Sequence, residues 1–272
     1  MNVSGKTAII TGGGSGIGRA TALLLAREGA AIVVADYNEA GAKETVAQIE
    51  AAGGKAAALR ADVSKPADLD AMFAYAESTF GGFDILYNNA GVTTGVPRWP
   101  DCSEDQWRRT IEIDLNAVIE GTRKAIPLLK KRGGGVIIST ASLAGLFGFQ
   151  ADPVYAAAKH GVVGLTRALV GLKAEANIRV NCVCPAAVNT PLVTSGVKNL
   201  TGAEREAAEQ RLRAMPMLAP EEIAGAVWDL IRDDSAAGVV MGISLGDTRR
   251  VVDPPITLPV TSGDPNAAPQ RR

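Results

Sequence analysis

Histidine is nearly missing from this chain of 272 residues, which holds one, His160, beside three cysteines and only 4% aromatic residues. Neither a metal site nor a disulfide framework is expected from so few ligands, because Cys102, Cys182 and Cys184 are odd in number and lack CxxC spacing. Cys182 and Cys184 flank Val183 in an apolar run and read as buried free thiols on a strand. Charge of one sign is lacking too. A net charge of −1 gives no electrostatic footprint for nucleic acid or an anionic membrane. No apolar run approaches the ~20 residues of a membrane span. The start, Met1-Asn2-Val3-Ser4-Gly5-Lys6, has no apolar signal-peptide core, so the expected location is cytoplasmic.

What is present is apolar residue in quantity, 47% of the chain, enough for a substantial core. Strand-like runs alternate with helical ones: Thr7 to Thr11, Ala31 to Asp36, Lys55 to Leu59, Ile85 to Asn88, Val136 to Thr140, Ile178 to Val183 and Gly238 to Leu245 are read as strands. Helices are expected at Gly18 to Gly29, Glu39 to Ala52, Pro66 to Phe80, from Ser103 onward with Pro127 disturbing its far end, at Pro153 to Glu175, and at Pro220 to Arg232. Such alternation predicts an α/β chain: one domain over residues 1–252, a doubly wound parallel sheet of seven strands with helices on both faces. Residues 189–219 interrupt the rhythm beyond a strand end, where a substrate lid would stand. Residues 253–272, with five prolines, read as an extended or disordered tail, or an arm wrapped on a neighbouring subunit.

Two patterns carry chemistry. Between the first strand and the first helix lies Thr11-Gly12-Gly13-Gly14-Ser15-Gly16-Ile17-Gly18, where glycines let the backbone approach a pyrophosphate at a helix N-terminus. Asp36 ends the second strand 18 residues after Gly18, placed to accept hydrogen bonds from ribose hydroxyls and to repel a 2′-phosphate. Ser15 and Tyr37 bring no cation to offset that repulsion, and Arg19 is expected to face solvent, so NAD is favoured over NADP. The second pattern is Tyr155-Ala-Ala-Ala-Lys159, an offset of four that puts both side chains on one helical face behind the start signal Asp152-Pro153. A cation beside a phenol favours the phenolate, and such a pair can move a proton on and off an alcohol.

These motifs, with Asp62-Val63, Asn88-Asn89-Ala90-Gly91, Asn116, Ser142 and Pro185 through Thr190, resemble the short-chain dehydrogenase/reductase family from about Gly5 to Leu245. The resemblance implies a Rossmann-type fold binding NAD and a small-molecule alcohol or ketone. It assigns Tyr155 as general acid/base, Lys159 as its cationic partner and holder of the nicotinamide ribose, Ser142 as hydrogen-bond partner of the substrate oxygen, and Asn116 as keeper of a relay water. Gly12, Ser15, Gly16, Ile17 and Gly18 would cradle the cofactor, with Asp36 and Tyr37 at its ribose, Asp62 and Val63 flanking adenine, and Asn89, Ala90 and Gly91 lining the groove. Pro185, Val188 and Thr190 would meet the nicotinamide end. A homo-oligomer, tetramer or dimer, is implied as well. Singly, Ser142, Asn116 and Asn89 also read as strand-end, helix-interior and turn residues. The chain departs from the family at Pro185-Ala186-Ala187, where Pro-Gly is usual; an alanine methyl there would narrow the pocket or disallow a positive φ, which leaves the shape of that loop open. Phe147, Phe149, Trp99 and Leu192-Val193 suggest an apolar pocket. The alternatives are an NADPH-dependent ketone reductase and a non-catalytic dinucleotide-binding regulator.

Overall fold

Along the first strand, β1 (Thr7–Thr11), side chains alternate between two buried faces: Ala8 and Ile10 enter one apolar cluster, Ile9 the other. The same alternation recurs in β2 (Ala31–Asp36), with Ile32 and Val34 on one face and Val33 and Ala35 on the other. A strand buried on both faces needs cover on both, which is the reason for a doubly wound sheet. In the computed structural model, which describes residues 1–198 and 201–252, that cover is in place.

The remaining strands are β3 (Lys55–Arg60), β4 (Ile85–Asn88), β5 (Gly135–Thr140), β6 (Ile178–Pro185), β7 (Val240–Ser244) and β8 (Asp247–Val251). They lie in the order β3-β2-β1-β4-β5-β6-β7-β8. All neighbours pair in parallel except β7 and β8. The seven parallel strands are those expected. The eighth is an antiparallel edge strand that the sequence reading lacked, returned by a turn at Leu245 and Gly246, where Gly246 takes φ 70°. Its polar run, Asp247-Thr248-Arg249-Arg250, carries none of the apolar alternation by which strands are recognised.

One face is covered by α1 (Gly16–Arg27), α2 (Glu39–Ala51) and α10 (Pro220–Arg232), the other by α3 (Pro66–Phe80), α5 (Ala117–Lys131) and α6 (Pro153–Ala168). Two expected helices are broken. The one beginning after Ser103 is α4 (Glu104–Ile111), a π-helical turn (Glu112–Asn116), then α5, which runs through Pro127. The one after Asp152 stops at Ala168, and a short α7 (Leu172–Ala176) follows Gly171. Residues 189–219 form α8 (Pro191–Lys198) and α9 (Gly202–Ala214) beyond the end of β6. The two ends of that segment meet: Asn189 N–H donates to the Leu218 carbonyl and Leu218 N–H to the Ala187 carbonyl, both 2.9 Å. The tail from residue 253 lies outside the described residues.

Ala186 does not distort its loop. Asn177 is the one non-glycine residue at positive φ among the described residues, so position 186 needs no glycine. Its N–H donates to the Ile243 carbonyl at 2.8 Å and its side chain packs on the core.

β6 also carries Arg179, 5% exposed, whose guanidinium donates to the carbonyls of Leu230 (2.8 Å) and Ile231 (2.6 Å) at the end of α10. Those carbonyls have no partner within their own helix, so Arg179 joins sheet and helix through charge-assisted bonds. Arg179→Met should destabilise the chain by about 2 kcal/mol, roughly 4 to 8 °C in Tm at this length, as read by thermal unfolding.

Candidate active site

β1 and β4 are neighbours in the sheet, but the chain leaves them towards opposite edges, and beyond their carboxyl ends the covering helices part. A cleft of about 990 Å³ opens there. Its floor is the glycine loop, and the loop is tight. A Cβ on Gly12 would stand 2.9 Å from the Ala90 Cα, and one on Gly18 2.2 Å from the Gly12 carbonyl oxygen. Asn89 ties the loop to β4: its side-chain amide donates to the Thr11 carbonyl at 3.0 Å, and the Thr11 hydroxyl accepts from the Asn89 N–H (2.9 Å) and Ala90 N–H (3.1 Å).

The cleft is lined by Gly12, Ser15, Gly16, Ile17, Asp36, Tyr37, Asp62, Val63, Asn89, Ala90, Gly91, Tyr155, Lys159 and Thr190, all predicted for the site. Gly18, Ser142, Pro185 and Val188 are not in its lining. Gly18 sits beneath Gly12 as a spacer, and Val188, 4% exposed, packs in the core. Asp36 accepts from Gly14 N–H (2.8 Å) and Asn38 N–H (2.7 Å), so its carboxylate shapes the loop and keeps lone pairs for a ligand. Arg19 does not face solvent. Its guanidinium donates to both oxygens of Glu44 at 2.9 Å, to the Gly14 carbonyl at 2.6 Å and to the Thr45 hydroxyl at 3.0 Å. Arg60 stacks on Tyr37, 5.1 Å from the ring centroid.

At the other end of the cleft, Asp152 caps α6: one carboxylate oxygen accepts from Tyr155 N–H (3.0 Å) and the Thr94 hydroxyl (2.8 Å), the other from Thr94 N–H (2.8 Å). The cap starts the helix about two turns before Lys159, and the offset of four brings Tyr155 and Lys159 to one face. The Lys159 ammonium is buried, donates to the Thr140 carbonyl at 3.0 Å, and stands 5.4 Å from the Tyr155 ring centroid. The Ser142 hydroxyl acts on the Tyr155 phenol, favouring its ionised form. It also caps the short turn Leu143–Gly145, accepting from Ala144 N–H at 3.1 Å. Phe149 meets the Tyr155 ring edge-on, with centroids 6.4 Å apart.

Asn116 is not part of this cluster. It lines the cleft, exposed, and its amide donates to the Glu112 carboxylate at 2.8 Å. The group that reaches Lys159 from the π-helical turn is Asp114, wholly buried, with one carboxylate oxygen 3.1 Å from the ammonium at an angle poor for a hydrogen bond. Its other oxygen accepts from Val92 N–H at 2.8 Å. Residues 112 and 116 share the outer face of that turn, and 114 points inward. An acidic residue on the apolar inner stripe of a helix was the signal available in the sequence.

The charges act on one another. Burial pushes the Tyr155 phenol above its ordinary pKa; Lys159 opposes the shift, and Asp114 adds to it. For Lys159, burial alone would lower the pKa, but Asp114 and then Tyr155 outweigh it, so the ammonium is held charged. Lysine is therefore not enough to make this phenol acidic in the free protein, contrary to the expectation from the Tyr155–Lys159 pair alone.

Comparison with known proteins agrees with this geometry. Residues 6–200 match the short chain dehydrogenase family. Cyclohexanol dehydrogenase of Acinetobacter sp. (strain SE19) is 44% identical over 233 residues, covering 85% of this chain and 89% of that protein. 3beta-Hydroxysteroid dehydrogenase 1 of Eggerthella lenta is 40% identical over 248 residues, 90% of this chain and 92% of its own. The crystal structure of levodione reductase superposes with a TM-score of 0.82 at 32% identity, covering 89% of this chain and 97% of that one. The chain belongs to the short chain dehydrogenase family, and it is an oxidoreductase acting on the CH–OH group.

Proposed function

We propose that this protein is an NAD-dependent dehydrogenase that interconverts a hydrophobic, cyclic secondary alcohol and its ketone, with Tyr155 as the group that takes and returns the hydroxyl proton. The observation that carries the reading is the cluster at the carboxyl end of β5: the Tyr155 phenol beside a buried ammonium, with Ser142 acting on it, opening on a cleft with a glycine floor. The cleft suits a dinucleotide, because the places where a Cβ would collide, Gly12 and Gly18, are those where the loop turns back on itself beneath the open floor. Gly12 through Ile17 would hold its phosphates, Asp36 the adenosine ribose, Asp62 and Val63 the adenine, and Lys159 with Thr190 the nicotinamide half. A bound nicotinamide supplies the acceptor or donor of hydride at the substrate carbon.

The chain's own residues handle the proton. In oxidation, the alcohol O–H proton passes to the Tyr155 phenolate oxygen as the carbon–oxygen double bond forms; in reduction, the phenol returns it. Ser142 orients the substrate oxygen, and Lys159 holds the phenolate in place by its charge. The choice of NAD rests on Asp36, whose charge repels a 2′-phosphate, and on Arg19, already bound to Glu44 and the glycine loop. The apolar substrate rests on Phe149 against Tyr155 and on Leu192 in the lining, with Phe147, two residues before Phe149, and Trp99, in the segment after β4, both exposed. The names of the relatives, a cyclohexanol and a hydroxysteroid dehydrogenase, point the same way. The segment 189–219 acts in this reading as the lid over the substrate. A homo-oligomer built on α4 through α6 is part of it as well, with Gly164 exposed on α6 and open to a second subunit: apart from its chain neighbours and the backbone of its own helix, nothing lies within 4 Å of a Cβ there.

Tyr155→Phe should lower kcat for cyclohexanol oxidation by at least about a thousandfold while leaving NADH binding intact; turnover retained alongside cofactor binding would sink the mechanism. The phenol's raised pKa fixes the sign of the pH dependence. Oxidation needs the deprotonated form, so kcat/KM for the alcohol should climb as pH rises above neutral, and kcat/KM for the ketone should fall over the same range. Steady-state profiles in both directions read this. For the cofactor, fluorescence titration should give NADH the lower Kd, and Asp36→Ser should narrow its lead over NADPH by about tenfold. A wild-type preference for NADPH would overturn the reading of Asp36.

A further inference from the structure

Asp114 is a carboxylate with no exposed surface, in a turn of π-helix, and the proposed proton transfer does not use it. Three features bind it to the site. Its oxygen stands 3.1 Å from the Lys159 ammonium, and its second oxygen holds Val92 N–H at 2.8 Å. Gly91 closes over the pair: a Cβ there would contact Asp114 at 3.4 Å and Lys159 Nζ at 3.5 Å. The π-helical turn adds a residue to the helical circuit, and turns of that kind gather at functional sites.

We propose that Asp114 is a positioning residue for the proton transfer: it pins Lys159 beside Tyr155 and, by its charge, makes the Tyr155–Lys159 pair keep its proton to higher pH. The inference rests on the reading of Tyr155 as the proton-transferring group. The sign follows from electrostatics alone. Whether the pair loses its proton from the phenol or from the ammonium, the product is more negative by one charge, and a neighbouring anion disfavours it. Lys159 thus serves two anions, and what it gives to Asp114 is withheld from the phenolate. The other titratable groups facing the pair are Asp152, at the start of α6, and Cys184 on β6, whose thiol a hydrogen bond with Cys182 and then burial push far up, so that it is neutral. Asp152 is engaged by Thr94 and the Tyr155 N–H, which leaves Asp114 as the anion in contact with the lysine. Burial pushes the Asp114 carboxyl above its ordinary pKa and Lys159 opposes that shift, while Asp114 in turn opposes the effect of burial on the Lys159 ammonium.

The test is Asp114→Asn, nearly isosteric and still able to accept from Val92 N–H. With NAD and cyclohexanol as probes, the acidic limb of kcat/KM for oxidation should move to lower pH by about one to two units, the size expected for removing a unit charge several ångströms away at an effective dielectric of about 20. A merely structural role would lower activity at every pH and leave the limb where it is; a folded, active variant with an unmoved limb would overturn the proposal. Retained turnover in Tyr155→Phe would instead remove the reading beneath it, so the two failures are distinguishable. A second measurement needs no change at position 114: ultraviolet difference titration of the wild-type protein against Tyr155→Phe. The phenolate step should fall above neutral pH, and a step below neutrality would overturn the proposal even if Asp114→Asn does not fold.

Discussion

An ammonium ion with almost no contact with solvent is the constraint on which the catalytic end of this molecule is built. Taking a charge such as that of Lys159 out of water costs several kcal/mol unless partners replace the hydration shell. Those partners come from separate parts of the chain: the Thr140 carbonyl at the end of β5, the Asp114 carboxylate from the π-helical turn and the Tyr155 ring from α6. Each must arrive within a few tenths of an ångström, so strand, turn and helix are fixed relative to one another by the lysine they share. The Asp152 cap extends that constraint to the loop after β4, because the carboxylate that starts α6 also holds Thr94.

The cofactor end obeys a different physics. No charge is buried there; backbone must meet backbone. Gly12, Gly18 and Ala90 approach so closely that a single added methyl group would force strands or helix apart. Arg19 then locks the loop from behind, joining the Gly14 carbonyl of α1's approach to Glu44 and Thr45 of α2. A residue that sequence alone would leave on the surface is thereby part of the loop's support, and Asp36 supports it from the side.

Much of this was legible beforehand, for physical reasons. Short apolar or β-branched runs between helical stretches marked the seven parallel strands, Asp152-Pro153 announced the start of α6, and a spacing of four aligned Tyr155 with Lys159. What escaped had no local signature. β8 is made of polar residues and exists because Gly246 turns the chain back along β7. The family resemblance points to Asn116, whereas the residue against the lysine is Asp114: a π-helical turn cannot be seen in the sequence, and one extra residue per turn changes which side chain faces the lysine. Arg19 reads as a solvated helix residue until α2 is placed beside it. Ala186 shows the opposite error: a departure from a family pattern looked disruptive, yet its backbone φ is one that alanine adopts freely.

The short parallel bridge where Val188 meets Leu218 joins the two ends of the segment that carries α8 and α9. Everything between those ends is, topologically, a closed loop hung from one point of the sheet. The entropy of closing such a loop grows only with the logarithm of its length, about 0.6 kcal/mol for each doubling. Residues can therefore be added, lost or exchanged inside it at little cost to the fold, and without moving Lys159, Tyr155 or the glycine loop. The molecule separates a part that evolution can rewrite from a part it must leave alone, and a change in what the cleft admits need not pass through a change in how the proton is handled.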